Sequence, residues 1–266
     1  MTTAPHARVT QRRIAETVAE ELRARILAAA DDYRLPTQDQ LVKEFGVSYP
    51  SVREALRILE TEGLVTVRRG NVGGAEVHRP TEASAAYHLG LALEGARVTL
   101  ADLAESLRKL EPMCAADCAR REDRAEVVVP ALTANVEACA EVAGDGVAFT
   151  RTAREFHDLV VSFTPTTTIR YVVSSLVTLW SAQEQAWAET RTRRGEYPSE
   201  AEAREAVRTH RRIVTEIAAG RAARAERLYR VHLAATQAFV LDRFDDAIVN
   251  ASMSRQAMQS GQRFHI

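Results

Sequence analysis

Between Ile14 and His78 the spacing of apolar residues changes once, from about four residues to about two, and that switch confines the first third of the chain to few folds. Ile14, Val18, Leu22 and Ile26 recur every fourth residue, which predicts one buried helix side ending near Ala30, with Asp31 and Asp32 opening a loop. Thr37 and Gln40 form a T-x-x-Q capping box, in which the two side chains satisfy orphan N–H groups at a helix start. Leu41, Val42 and Phe45 supply that helix's apolar face. Gly46 breaks it. Ser48 then caps a third helix that tolerates Pro50 in its first turn and buries Val52, Leu56 and Leu59. After Gly63, Leu64-Val65-Thr66-Val67 favours a strand, Gly70 to Gly74 a loop, and Ala75 to His78 an antiparallel return.

Helix, helix, tight turn, helix and hairpin is the order of a winged helix-turn-helix, whose third helix enters the DNA major groove. The expected domain covers residues 8–79. Ser48, Tyr49 and Ser51 occupy the first turn of the third helix, while Arg53 and Arg57 lie one turn apart, on a side distinct from Val52, Leu56 and Leu59. Arg68, Arg69 and Gly70 fall at the hairpin tip, from which an arginine reaches the minor groove or a phosphate. Taken singly, each arginine suits a solvated helix face paired with Glu54, Glu60 or Glu62. Taken with the order of elements, they favour double-stranded DNA as partner.

The whole-chain charge gives no help here: 35 Lys plus Arg against 36 Asp plus Glu leave −1, so local charge must carry the DNA reading. Twelve glycines and eight prolines in 266 residues are fewer than average, so few turns are needed and the fold class is mainly α. Beyond Arg79-Pro80 the pattern reads as helix. Breaks near Gly95, Glu122, Gly144, Pro165, Gly195 and Gly220 predict an all-α bundle of six or seven helices over residues 80–249, then a polar tail over 250–266. The longest nearly apolar stretch, Tyr171 to Trp180, is about half a bilayer span, and Met1 to Arg13 has no signal-peptide character. A cytoplasmic location without a membrane partner is expected. Cys114, Cys118 and Cys139 match neither a disulfide framework nor a paired CxxC site and are expected as buried reduced thiols.

Three of the seven histidines fall on apolar faces of separate predicted helices. His157 shares its face with Ala153, Val160 and Val161; His210 with Ala206, Ile213, Val214 and Ile217; His232 with Leu228, Ala235 and Phe239. Ser199 and Glu202 form a capping box for the His210 helix, and Gly220 suits the turn before the His232 helix, so antiparallel packing would set those two histidines within reach. Either each histidine is satisfied separately in the core, or one divalent metal such as zinc satisfies all three; periodicity leaves both readings open. Trp180 and Trp187, on one helix face, are expected as core or dimer contacts, and His6, His78 and His88 as surface or packing residues.

Leu35-Pro36, Leu41, Gly46-Val47-Ser48, Val52-Arg53-Glu54-Ala55-Leu56, Leu59-Glu60, Glu62-Gly63-Leu64 and Arg69-Gly70 resemble the DNA-binding domain of GntR-family transcription regulators. Leu107-Arg108, Leu110-Glu111, Phe156-His157, His210 with Ile213 and Ile217, and His232 resemble the helical effector domain, called FCD, of that family's FadR branch. The resemblance implies a homodimer on a short pseudo-palindromic operator, with Arg53 on DNA, Arg69-Gly70 at the wing tip, and Arg108 near an effector pocket. The fork of Arg108 suits a carboxylate there; a surface pair with Glu105 or Glu111 is the other reading. In metal-binding members an aspartate four residues before the first histidine is a ligand. Ala153 stands at that place here, which implies a weakened site completed by an effector carboxylate or water. Asp39 and Tyr49 stand where the family commonly has arginines. An acid near phosphate weakens binding, yet a carboxylate accepts from a cytosine amino group.

These features together predict a ligand-responsive DNA-binding transcription regulator, a repressor released by a small carboxylate metabolite, catalysing no reaction. One rival is a metal-dependent hydrolase using His157, His210 and His232 as an open zinc site, against which no Asp or Glu lies one turn away on the same face as general base. Another is a DNA-binding protein whose helical domain only dimerises.

Overall fold

A computed structural model of the chain describes residues 5–30, 33–67, 75–78, 80–242 and 246–253. It divides into two compact units, residues 1–81 and 82–266. The wing-tip candidates Arg68, Arg69 and Gly70 lie outside the described residues.

In the first unit, α1 (Pro5–Ala28), α2 (Gln38–Phe45) and α3 (Tyr49–Thr61) precede β1 (Val65–Val67) and β2 (Ala75–Val77). The strands pair antiparallel with Val65 opposite Val77 and Val67 opposite Ala75. Thr37 and Gln40 make the reciprocal capping box, Gly46 closes α2 in the left-handed conformation at φ 62°, and Ser48 caps α3. Val18, Leu22, Ile26, Leu41, Val52, Leu56, Leu59 and Val65 form one core. Ile14 does not join it: the residue is 38% exposed, and its neighbour Ala15 is buried instead. An α-helix advances about 100° per residue, so a strict four-residue spacing drifts by about 40° per step and carries Ile14 off the face that Ile26 occupies.

The second unit contains α4 (Glu82–Gly95), α5 (Leu100–Arg120), a short 3-10 helix (Glu122–Ala125), α6 (Val128–Glu141), α7 (Gly146–Ser162), α8 (Thr167–Arg194), α9 (Glu200–Ala218) and α10 (Ala222–Leu241). The breaks fall where glycine, proline and capping residues put them, and Ser199 and Glu202 make the second capping box. Pro112 sits inside α5 and removes the N–H that would bond the Arg108 carbonyl. The Arg230 side chain donates to that carbonyl instead, Nε to O at 3.4 Å. Trp180, Tyr229, Phe156, Leu103, Leu107 and Leu132 are fully buried in one core. All three cysteines are free and buried, and desolvation pushes their thiols up to about 11 for Cys114 and about 12 for Cys118 and Cys139.

Two further expectations require correction. Ala235 and Phe239 are exposed rather than part of the core, and the buried side of α10 runs through Ala225, Tyr229, His232, Leu233, Gln237 and Val240, because the 3.6-residue period alternates three- and four-residue steps. The stretch after Asn250 does not begin as a loose tail: Ala251 is fully buried, and its N–H donates to Glu94 Oε2 at 2.9 Å. A Cβ built on Gly90 would meet Ala251 Cβ at 3.1 Å, so glycine makes this approach possible. Just before it, Leu100 N–H donates to Ala247 O at 2.7 Å and Val249 N–H to Val98 O at 3.0 Å. Among the described residues no helix is long and apolar enough to cross a membrane.

Candidate functional site

Three helices of the second unit each bring one histidine inward: His157 from α7, His210 from α9 and His232 from α10, all buried. Each offers a ring nitrogen, and the three nitrogens lie within 4.8 Å of one another. His210 Nε2 and His232 Nε2 stand 2.8 Å apart. One proton can satisfy that contact, but His210 Nδ1 has no hydrogen-bond partner among the described residues. Phe156 stacks on His210, with ring centroids 4.0 Å apart, and holds it in place. Burial, with Arg154 adding to it, pushes His157 below the ordinary imidazole range; His210 and His232 lie well below it, for burial and for their proximity to the other histidines. All three are therefore neutral donors.

Behind His157 stands a carboxylate that the sequence offered only as part of the Leu110-Glu111 resemblance and as a surface partner for Arg108. Glu111 of α5 is fully buried, and its Oε2 accepts from His157 Nδ1 at 2.9 Å and from Tyr229 Oη at 2.9 Å. That contact fixes the protonated nitrogen of His157 as Nδ1 and leaves Nε2 for the cluster, the arrangement that carboxylate–histidine pairs give a divalent metal. Burial works against the Glu111 charge, but the hydrogen bond from His157 and the nearby Arg154 hold its pKa below the ordinary value. Three neutral imidazoles, an orphaned ring nitrogen and an anchoring carboxylate fit a zinc-class ion with at least one position left open.

The histidines line a cavity of about 600 Å³, counting the space at its open mouth, together with Ala153, Arg154, Glu184, Trp187, Tyr197 and Phe239. Arg154 Nε lies 3.4 Å from Glu184 Oε2 and donates to Ser181 Oγ at 3.2 Å. Its Nη2, 3.9 Å from Glu111 Oε1, has no hydrogen-bond partner among the described residues, and neither does Trp187 Nε1. Burial opposes the Arg154 charge; Glu184 and Glu111 outweigh it and raise the pKa. Two unsatisfied donors beside a histidine cluster suit an anion. Arg108 lies elsewhere: it pairs with Glu105 at 2.8 Å, donates to Gln237 Oε1 at 2.9 Å, and does not line the cavity. Trp180 is core, whereas Trp187 belongs to the cavity wall.

On the first unit, Ser48, Tyr49, Arg53 and Arg57 are exposed along α3. Ser51 is not: it is 2% exposed, on the same helix side as Val52 and Ala55, with its hydroxyl 3.0 Å from that of Ser48. Of the acids that were alternative partners for the arginines, two are engaged elsewhere and one is not. Glu62 takes Arg23 at 2.6 Å and Glu60 accepts from the Val67 N–H at 3.0 Å, whereas Glu54 pairs with Arg57, Oε2 to Nε at 3.8 Å. Tyr49 Oη donates to Asp39 Oδ1 at 3.1 Å.

A family model described as bacterial regulatory proteins, gntR family, matches residues 14–73, and a model of the FCD domain matches residues 102–235, half of the chain. The chain belongs to the GntR family. Two mycobacterial proteins are similar to a stretch of the chain: the HTH-type transcriptional regulator Mce2R of Mycobacterium tuberculosis and the uncharacterized HTH-type transcriptional regulator Mb0601 of Mycobacterium bovis. Each is 41% identical over 66 residues, 24% of this chain and 28% of the relative. The match thus spans little more than a quarter of those curated relatives. A Streptococcus agalactiae GntR structure shares the fold at a TM-score of 0.62 and 20% identity, covering 84% of this chain and 98% of that one. None of these matches supports the hydrolase reading.

Within the family frame, the FCD match contains His157, His210, His232, Glu111 and Arg154, and the gntR match contains Asp39, Tyr49, Arg53 and Arg57. Glu111 and Arg154 carried a sequence signal. Glu111 interrupts the stripe of Leu103, Leu107, Cys114 and Cys118, and Arg154 lies between Thr150 and His157 on the buried side of α7. A charge on an apolar stripe is costly unless it is paired, so it marks a polar site.

Proposed function

We propose that this GntR-family chain is a ligand-responsive regulator of transcription that works in the cytoplasm as a homodimer. In this reading it reads a double-stranded operator with α3 and is released from it by a small carboxylate. The observation that carries the DNA half is Arg53, exposed on α3 without an acidic partner among the described residues, beside the exposed Arg57, which Glu54 approaches to 3.8 Å. Exposed guanidinium groups on a helix that offers its first turn to a groove serve phosphate and base-edge contacts. Arg53→Ala is expected to cost about 1–3 kcal/mol of operator binding, measured by fluorescence anisotropy on a duplex selected by the wild-type protein. Unchanged affinity would show that α3 does not face DNA in this way.

For the effector half, the supporting observation is the pair of unsatisfied donors, Arg154 Nη2 and Trp187 Nε1, in the cavity that the histidines line. His157, His210 and His232 would hold the divalent ion, and Ala153 leaves free the room and the coordination place that a longer side chain would take. When bound, the metal supplies a Lewis-acidic anchor for a carboxylate oxygen. Arg154 supplies the charge-assisted hydrogen bonds that orient the same group, and Phe239 and Trp187 bound the space for its apolar part. Coupling to DNA follows from differential affinity: a ligand that binds the DNA-free state better weakens operator binding by the same factor by which DNA weakens ligand binding. A panel of small carboxylates with zinc present should contain a compound that raises the thermal midpoint, worth about 2.7 kcal/mol at a hundredfold excess over Kd. Arg154→Gln should abolish that increment relative to its own ligand-free midpoint. An increment that survives the substitution places the carboxylate elsewhere.

A further inference from the structure

Asp39 and Tyr49 lie ten residues apart in different helices, the second residue of α2 and the first of α3, and the tight turn between them brings the two side chains together. Both are exposed, Tyr49 at 47%. Tyr49 Oη spends its proton on Asp39 Oδ1 at 3.1 Å, and the carboxylate raises the phenol pKa, so that proton stays in place. What the joined pair offers outward is then acceptors alone: the second carboxylate oxygen and the lone pairs of the phenol. It offers them at the first turn of α3, the end of the helix that meets base edges in the reading above.

Acceptors alone cannot meet every base. In the major groove guanine presents N7 and O6 and thymine presents O4, all acceptors, and these repel a carboxylate. Adenine presents one amino donor beside the N7 acceptor. Cytosine presents its N4 amino group with no acceptor beside it. The tyrosine also removes rotamer freedom from an aspartate that would otherwise turn away from nearby phosphates. We propose that the Asp39–Tyr49 pair is a specificity element that reads the amino group of one cytosine in each half of the operator; this rests on the DNA-reading role of α3. A hydrogen bond that merely ties α2 to α3 would affect stability and leave base preference alone.

Selection of duplexes from a random library by the full-length protein, repeated with Asp39→Asn and Tyr49→Phe, separates these outcomes. Wild-type protein should select a split motif with cytosine favoured at one position per half by about 5- to 150-fold over guanine. Asp39→Asn, whose amide both donates and accepts, should move that position toward adenine; Tyr49→Phe should weaken the cytosine preference there. All other positions should stay as in the wild type, which also shows that the variants fold. A wild-type motif that both variants reproduce at every position overturns the cytosine-reading pair and leaves the DNA-binding reading standing. Selection of no motif by the wild-type protein overturns both.

Discussion

Glu111→Ala is expected to lower the unfolding free energy by about 3–5 kcal/mol, the loss typical of breaking a buried charged network by removing one partner. Glu111 is fully buried and serves three groups at once: it accepts from His157 and from Tyr229 at 2.9 Å each, and its other oxygen lies 3.9 Å from Arg154. Alanine removes the charge at the centre of that network. The Tyr229 hydroxyl and the His157 N–H lose their shared acceptor and keep only each other, Oη to Nδ1 at 2.8 Å, and Arg154 keeps Glu184 as its nearest countercharge. Urea unfolding followed by the fluorescence of Trp180, which is fully buried, measures the effect. Zinc affinity should also fall, by about 10- to 100-fold, because His157 loses the group that orients its ring. A stability loss below about 1 kcal/mol would mean that the carboxylate is not part of a coupled network.

The second large effect is expected at Phe156, where substitution by alanine should cost about 3–5 kcal/mol through lost burial and the cavity left behind. Phe156 is fully buried, and its ring lies parallel to that of His210 within 9° at 4.0 Å between centroids. Removing it takes away the wall that keeps His210 facing His232. The measurement is the urea midpoint, with zinc retention after dialysis as a second readout. A variant as stable as the wild type would show that the void collapses without cost and that the stack does not position the histidine.

Much of this architecture is legible from local chemistry. Thr37 with Gln40, Ser199 with Glu202, and Gly46 act within one turn of chain, so their roles follow from neighbours a few residues away. The nearness of His210 and His232 also follows from local pattern, since both lie inward and a short turn joins α9 to α10, whereas His157 reaches them from α7 with the whole of α8 between. What periodicity alone missed is what depends on exact phase or on partners far along the chain. Ile14 drifts off its stripe by accumulated angle, and Ser51 turns inward because it shares a side with Ala55. For Arg108 the sequence left two readings open, an anion-binding place implied by the resemblance and a surface pair with Glu105 or Glu111, and the structure has the pair with Glu105. The cavity holds Arg154 instead, whose significance appears only when Glu111 and Glu184 arrive from α5 and α8.

The pairing of residues 98–100 with 247–249 has a consequence for how the protein is made. Synthesis runs from the N-terminus, so the opening segment of the helical unit leaves the ribosome long before the residues that hydrogen-bond to it exist. Until then Leu107 and Glu111 of α5 stand without the Tyr229 of α10 that covers them, and the nascent chain carries an uncovered apolar stripe with a charge in its middle. The first unit has its own core and can finish folding meanwhile, whereas the second completes this pairing only after residues 247–249 emerge.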